Sequence, residues 1–228
     1  MVNTLIGKYQ TEQEIADSHL QASTRLRTIL PGDWIYEDYN PNNRLDGGDA
    51  RPLFYDDNPK MNYGLTLGAS YKGFDINVLF QGAALFSKTL DLSYKIMGYG
   101  GGNFPAYFLD RWHKADPYDP DSEWIPGEWP AMRGTVEAGM LYLDNDIWRR
   151  DCSYLRLKNV AIGYTVPVQY IQKAGLSSCR IFFDANNLYT WCGSFVKLFD
   201  PEKNAGANNS SMNYPIMRTY NIGLNISF

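Results

Sequence analysis

Arg218-Thr-Tyr-Asn-Ile-Gly-Leu-Asn-Ile-Ser-Phe228 closes the chain. Tyr220, Ile222, Leu224, Ile226 and Phe228 alternate with Thr219, Asn221, Gly223, Asn225 and Ser227. Alternation with period two sets every apolar side chain on one face of a strand. The termini of soluble domains are commonly polar and frayed. A strand of an outer-membrane barrel instead turns an apolar face to lipid and carries an aromatic residue at the interface. The edge strand of a soluble sandwich can alternate in the same way, and the terminal aromatic counts against it.

The same pattern recurs upstream. Met61, Tyr63, Leu65, Leu67, Ala69 and Tyr71 alternate with Asn62, Gly64, Thr66, Gly68 and Ser70. Lys72-Gly73 then reads as a two-residue hairpin link, followed by Phe74, Ile76, Val78, Phe80, Gly82, Ala84 and Phe86 in register. Tyr63 to Tyr71 spans roughly 26 Å of strand at about 3.3 Å per residue. Tilted by about 40°, that is roughly 20 Å of height, close to the lipid band of a barrel. In 153–166, Leu155 and Leu157 have one parity while Val160, Ile162, Tyr164 and Val166 have the other, which predicts a bulge near Lys158-Asn159. In 179–191, Ile181, Phe183, Ala185, Tyr189 and Trp191 face opposite to Arg180, Asp184, Asn186 and Thr190. The connections alternate in length. Lys72-Gly73 is tight and 167–178 moderate, with a turn of helix at Gln169–Lys173; 90–152 and 192–217 are long and rich in Gly, Pro, Asp and Trp. Traced back from a periplasmic C-terminus, every short link falls on the periplasmic side and every long one outside, as barrels arrange them.

Composition bounds the function. The chain has 228 residues, 44% of them hydrophobic, and no apolar run long enough for a membrane-spanning helix. Aromatic residues reach 15%, with 17 Tyr and 6 Trp, which suits interface girdles or carbohydrate contact. A net charge of -4 argues against nucleic acid as a partner. Three cysteines and two histidines make no disulfide or zinc framework, and no nucleophile elbow, P-loop or dinucleotide fingerprint occurs. An enzyme reading therefore has no support. The N-terminus has no basic segment followed by an apolar core, so no export signal is expected there.

Several blocks in order resemble the C-terminal quarter of the SusC/RagA-type TonB-dependent outer-membrane transporters of Bacteroidetes. They are Pro31-Gly-Asp33 with its acidic loop, Gly64 through Asp75, Leu79 through Ala83, and Ser153-Tyr-Leu-Arg-Leu-Lys-Asn159 with Gly163-Tyr-Thr-Val-Pro167. Asn186-Asn-Leu-Tyr-Thr-Trp191, Asp200-Pro-Glu202 and Tyr214-Pro-Ile-Met-Arg-Thr-Tyr220 through Phe228 complete the set. The resemblance implies an all-β fold: an antiparallel transmembrane β-barrel segment, five strands of a barrel of about twenty-two with long extracellular loops. It implies residence in the outer membrane, import of oligosaccharides or peptides, and three partners: lipid, a SusD-like surface lipoprotein lid and the TonB system. Asn221, Gly223, Ile226 and Phe228 resemble the C-terminal signal read by the barrel-assembly machinery. The blocks cover the C-terminal part alone, so the export signal, the TonB-contacting segment, the plug and most strands are expected to be missing. On this reading 1–60 is an extracellular loop region and 61–228 the strands with their long loops, 91–152 and 192–217.

Three constellations stand beside the strands. Asp38, Asn40, Asn42, Arg44 (through its carbonyl), Asp46 and Asp49 have the spacing of a Ca²⁺ loop of the EF-hand type. The family resemblance sets Asp-x-Asn-x-Asp-Gly here, and this chain has Asn42 for an acid and Asn43 for the glycine. The same residues also suit a turn stitched by side-chain hydrogen bonds, so two readings are open: a bound Ca²⁺, or no cofactor. Trp112, Tyr118, Trp124 and Trp129 among acidic residues are candidates for contact with a ligand or the lid, or for a self-packed loop. Cys152 and Cys192 come to the outer ends of neighbouring strands, open to a disulfide or to free thiols.

The leading reading is a segment of a nutrient importer with Asn62, Thr66, Asp75, Asn77, Arg180 and Asp184 facing the lumen and no catalytic residue. A surface-recognition fragment or remnant that binds glycan or a lid lipoprotein is the alternative. A soluble carbohydrate-binding sandwich is the third reading.

Overall fold

The computed structural model describes residues 1–22, 29–90, 95, 103–133, 144–194, 196–198, 200–202 and 216–228. Much of the two long connections, and the Tyr214-Pro215 start of the last sequence block, lie outside the described residues. Five long strands form one antiparallel sheet: β1 (Met61–Tyr71), β2 (Phe74–Ala84), β3 (Tyr154–Thr165), β4 (Ser178–Trp191) and β5 (Thr219–Ser227). They lie side by side in chain order, leaving β1 and β5 at the two edges. Among the described residues no helix is long and apolar enough to cross a membrane, which does not bear on strands.

Local chemistry sets the register. Tyr71 pairs with Phe74 across Lys72 (φ 48°) and Gly73 (φ 88°), so both turn residues are left-handed, as a type I′ hairpin requires. A side chain at Gly73 would also meet the Thr165 carbonyl at 2.7 Å. The pairing of β3 shifts between Leu157 and Asn159 against both neighbours, which is the expected bulge. Between β3 and β4 lie a helical turn, Val168–Ile171, and a 3₁₀ turn, Gln172–Ala174. β2 stops at Ala84, before the Phe86 and residue 90 ends expected of it. Leu85 turns left-handed (φ 60°), and its N–H leaves the ladder for the Ser153 hydroxyl.

Register carries one apolar surface across all five strands. Leu67, Val78, Val160, Ala185 and Tyr220 form one cross-strand row, and Ala69, Ile76, Ile162, Phe183 and Ile222 the next. Tyr71, Phe74, Tyr164, Ile181 and Leu224 make a third. This face is open: Ile222 is 83% exposed, Leu224 55% and Phe74 58%. A water-soluble sandwich would bury such a face under a second layer.

Contacts divide the chain into two compact units. Asp56–Ser87, Asp151–Asn204 and Asn213–Phe228 make up the sheet unit. The other joins Met1–Tyr55 to Lys88–Arg150, where the sequence reading placed a boundary at residue 60 and treated 91–152 as a loop of the barrel. The reason for the difference is a shared aromatic core. Trp34 meets Trp148 edge-on at 5.7 Å between ring centroids, and Trp129 stacks on Trp148 at 5.2 Å. Tyr9, Tyr36 and Phe108 are buried in the same unit, as is the Arg133–Asp33 ion pair. Burial dominates at Asp33, whose pKa stands above the ordinary carboxylate value in spite of the arginine.

Candidate functional site

The face opposite the apolar rows is polar and internally bonded. Asp75, Asn77, Arg180 and Asp184, four of the six residues expected on a lumen wall, lie on it with Asn62 and Thr66 of β1. Arg180 of β4 reaches Asp75 of β2 across β3, with Nε at 3.1 Å from Oδ1 and Nη2 at 2.5 Å from Oδ2. The strand between them must be bare, and Gly163 supplies that: a Cβ there would collide with the guanidinium and with the Asp75 carboxylate. Asp184 collects three amides, Asn159 Nδ2 at 2.5 Å, Asn186 Nδ2 at 2.8 Å and Asn221 Nδ2 at 3.2 Å. Paired charges and satisfied carboxylates make a polar wall without a strong net field.

Nearer the long-connection end of the same face sits Arg156, opposite Gln81 and Thr190. Its side chain is 2% exposed. Nε donates to the Thr190 hydroxyl at 2.9 Å, Nη1 to Glu202 at 2.7 Å and Nη2 to Asp200 at 2.7 Å. Asp200 (φ 59°) also accepts the Glu202 N–H at 3.0 Å and the Ile216 N–H at 3.4 Å. One carboxylate therefore ties both ends of segment 203–215 to a strand. Arg156 stands between Leu155 and Leu157, so simple alternation gives its face, opposite the leucines. The signal for its partner is Asp200-Pro-Glu202, the lone acidic pair of that connection.

The four residues at the C-terminus separate by face. Asn221 and Gly223 are on the polar side, and Ile226 and Phe228 carry the apolar alternation, with Phe228 92% exposed. Gly223 is required by its neighbour: the Phe182 ring lies where a Cβ would stand.

In the acidic loop the candidate metal ligands are spent on one another and on the backbone. Asp38 accepts the N–H groups of Asn42 and Asn43. Asp46 accepts the Gly48 N–H and the amides of Asn40 and Asn42, which holds its carboxyl below the usual range, the Gly48 bond contributing most. Asp49, 1% exposed, takes the N–H groups of Tyr39, Asn40 and Asp46. Arg44 follows Asn43, which adopts the left-handed turn (φ 58°) in place of glycine. Among the described residues, no three His, Cys, Asp or Glu side chains are grouped to hold a metal.

The aromatic quartet divides. Trp112 (4% exposed) and Trp129 (9%) are core residues, not ligand contacts. The Trp112 N–H donates to the Trp129 carbonyl at 2.7 Å, and the Trp112 ring abuts Gly32. Tyr118, 94% exposed, stands between two short paired strands, His113–Lys114 and Trp124–Ile125; Trp124 is half-buried under Lys114. All three cysteines are free thiols. Leu155 faces Trp191, so Cys192 lies past that pair and two positions out of step with Cys152.

No family model matches the chain. It is 29% identical over 209 residues to TonB-dependent receptor P3 of Formosa agariphila, covering 87% of this chain and 19% of that protein. With TonB-dependent receptor P26 of the same organism it shares 26% over 238 residues, 98% of this chain and 22% of that one. Among solved structures, the RagAB peptide importer in its open-open state superposes with a TM-score of 0.59 at 22% identity, covering 86% of this chain and 21% of that one. The closed-closed state gives 0.58 at 20% identity over 89% and 21%. The chain spans about a fifth of the length of the curated relatives it matches.

Proposed function

We propose that this chain, which is related to the TonB-dependent receptors of the SusC/RagA type, supplies consecutive wall strands of an outer-membrane nutrient importer. The observation that carries the reading is the division of one sheet into an open apolar face and an internally bonded polar face. Lipid solvates the first, water and solute pass along the second, and neighbouring strands of the barrel satisfy the edge groups of β1 and β5. The short links 72–73 and 166–177 share the periplasmic end with Phe228, and the long connections emerge outside. The solute is an oligosaccharide or a peptide, captured with a SusD-type lipoprotein and driven through the TonB system. Assembly runs through the C-terminal strand. The acidic loop is a candidate site for Ca²⁺.

Single cysteines introduced on opposite faces test the partition in the complete receptor, in its own membrane and in a background without the native thiols. Ile222→Cys should react with a lipid-soluble maleimide and resist a water-soluble one, and Asn225→Cys the reverse. Equal labelling of both by the water-soluble reagent, or recovery of the protein as a monomer without detergent, overturns the membrane reading.

A further inference from the structure

Arg156 of the clamp lines a cleft in the sheet unit of about 220 Å³, together with Asn187, Tyr189, Lys197, Asp200 and Arg218. Such a volume lies below that of a pocket for a whole drug-sized ligand, so the cleft suits one terminal unit of a longer solute.

Its charges are unequal in a useful way. Asp200 is already committed to Arg156 and to two backbone N–H groups, so it competes for no incoming cation. Arg156 is balanced by Asp200 and Glu202. Lys197 and Arg218 add two positive charges, and among the described residues neither forms an ion pair. In a chain of net charge -4 that is a local reversal of sign.

Its polar groups are unequal too. Asn187 is held left-handed (φ 54°), and its Nδ2 donates to the Met217 carbonyl at 3.1 Å. That bond fixes the amide and leaves its Oδ1 sheltered from water with no hydrogen-bond partner. A buried acceptor without a partner is destabilising, so a donor brought by a ligand would relieve it. The Tyr189 hydroxyl stands at the edge of the cleft, 3.5 Å from Lys197 Nζ, while its ring shares the apolar face with Leu157.

We infer that this cleft is a subsite for a carboxylate that has an N–H or O–H donor beside it. Lys197 and Arg218 take the carboxylate, and Asn187 Oδ1 takes the donor. The C-terminal residue of a peptide and a uronic acid both have this chemistry. The inference rests on the importer reading and narrows its solute to an acidic one.

The test uses the complete receptor purified in detergent and four probes: trialanine with a free or an amidated C-terminus, and digalacturonate free or as its methyl ester. Calorimetry should show a free acid bound at least tenfold more tightly than its neutral partner, and the peptide or the uronide arm that responds identifies the source. The double variant K197Q/R218Q should erase that preference and leave the weak binding of the neutral probe, whereas K72Q, at the far hairpin, should retain it. Equal affinity of acid and neutral forms, no binding of any probe, or a preference that survives the double variant overturns the subsite. Heat-modifiable mobility of each preparation is read in parallel. A barrel that assembles and lacks the preference sinks the subsite alone, and a chain that never assembles sinks the importer reading with it.

Discussion

Arg156→Met should release the base of the long connection while leaving the sheet paired. The arginine side chain is 2% exposed and makes three side-chain hydrogen bonds, two of them to carboxylates. Its removal leaves Asp200, 9% exposed, as a buried anion without a cation, a loss of about 3–5 kcal/mol in comparable sites. Glu202, at 32% exposure, turns to water and adds little. At about 1.4 kcal/mol per tenfold, the local opening constant should rise by roughly two to three orders of magnitude. The sensitive reporters are the Glu202 and Ile216 N–H groups, which both donate to Asp200. Hydrogen exchange read by mass spectrometry on peptides across 196–202 and 216–218 should accelerate accordingly, with the β1–β2 hairpin unchanged as reference. Asp200→Asn in the same background removes the stranded charge, so the double variant should exchange more slowly than Arg156→Met by a coupling on the order of 1–3 kcal/mol. Exchange at those peptides within fivefold of the parent, with no coupling between the two positions, would refute the clamp.

Three further outcomes follow from the same geometry. Ile222→Arg puts a charge on the open apolar face of β5 and should cost about 2–4 kcal/mol near the bilayer midplane, read as loss of the heat-modifiable folded band. Unchanged assembly would remove lipid from that face. Gly223→Val should impair assembly because its side chain meets the Phe182 ring, and Phe182→Ala should restore it by clearing the space; a failure of rescue would mean that glycine acts there through recognition instead. In the acidic loop, Asp46 has its pKa lowered in the folded state, so its contribution is present above the unfolded carboxylate value and lost as pH falls through the lowered one. Carboxyl NMR should give Asp46 a midpoint below that of a free aspartate, and calcium titration by calorimetry decides between the two readings of the loop, with no heat at millimolar Ca²⁺ discarding the cation.

The strands were legible because alternation is a local signal, read residue by residue with no knowledge of the partner. Tyr71-Lys-Gly-Phe74 fixed a hairpin, and the parity change between Leu157 and Val160 located the bulge. The polar face was legible for the same reason, since Asp75, Arg180 and Asp184 alternate out of the apolar rows. Their partners were not, because Arg180 reaches over a whole strand and depends on Gly163, whose purpose appears once β2, β3 and β4 are aligned. Least legible was the fate of the tryptophans. Trp112 and Trp129 have the composition of a ligand platform, and their burial against Trp148 and Gly32 is a property of distant segments meeting.

The bulge in β3 decides which residues reach each face of the sheet. Were β3 to alternate regularly through Lys158 instead of bulging there, Leu155 and Leu157 would share a face with Asn159 and Gly163 instead of with Val160 and Ile162. Shifting the register between Leu157 and Asn159 keeps the apolar surface continuous from Phe80 through Leu157 to Tyr189. The same shift keeps Arg156 opposite Gln81 and Thr190, on the polar side, where its charge meets Asp200 and Glu202 rather than the apolar rows. β4 matches it with a left-handed Asn187, whose amide then turns to Met217 at the entry of β5. A single bulged position thus governs the apolar face, the clamp and the acceptor of the proposed subsite, so these three features cannot vary independently in this sheet.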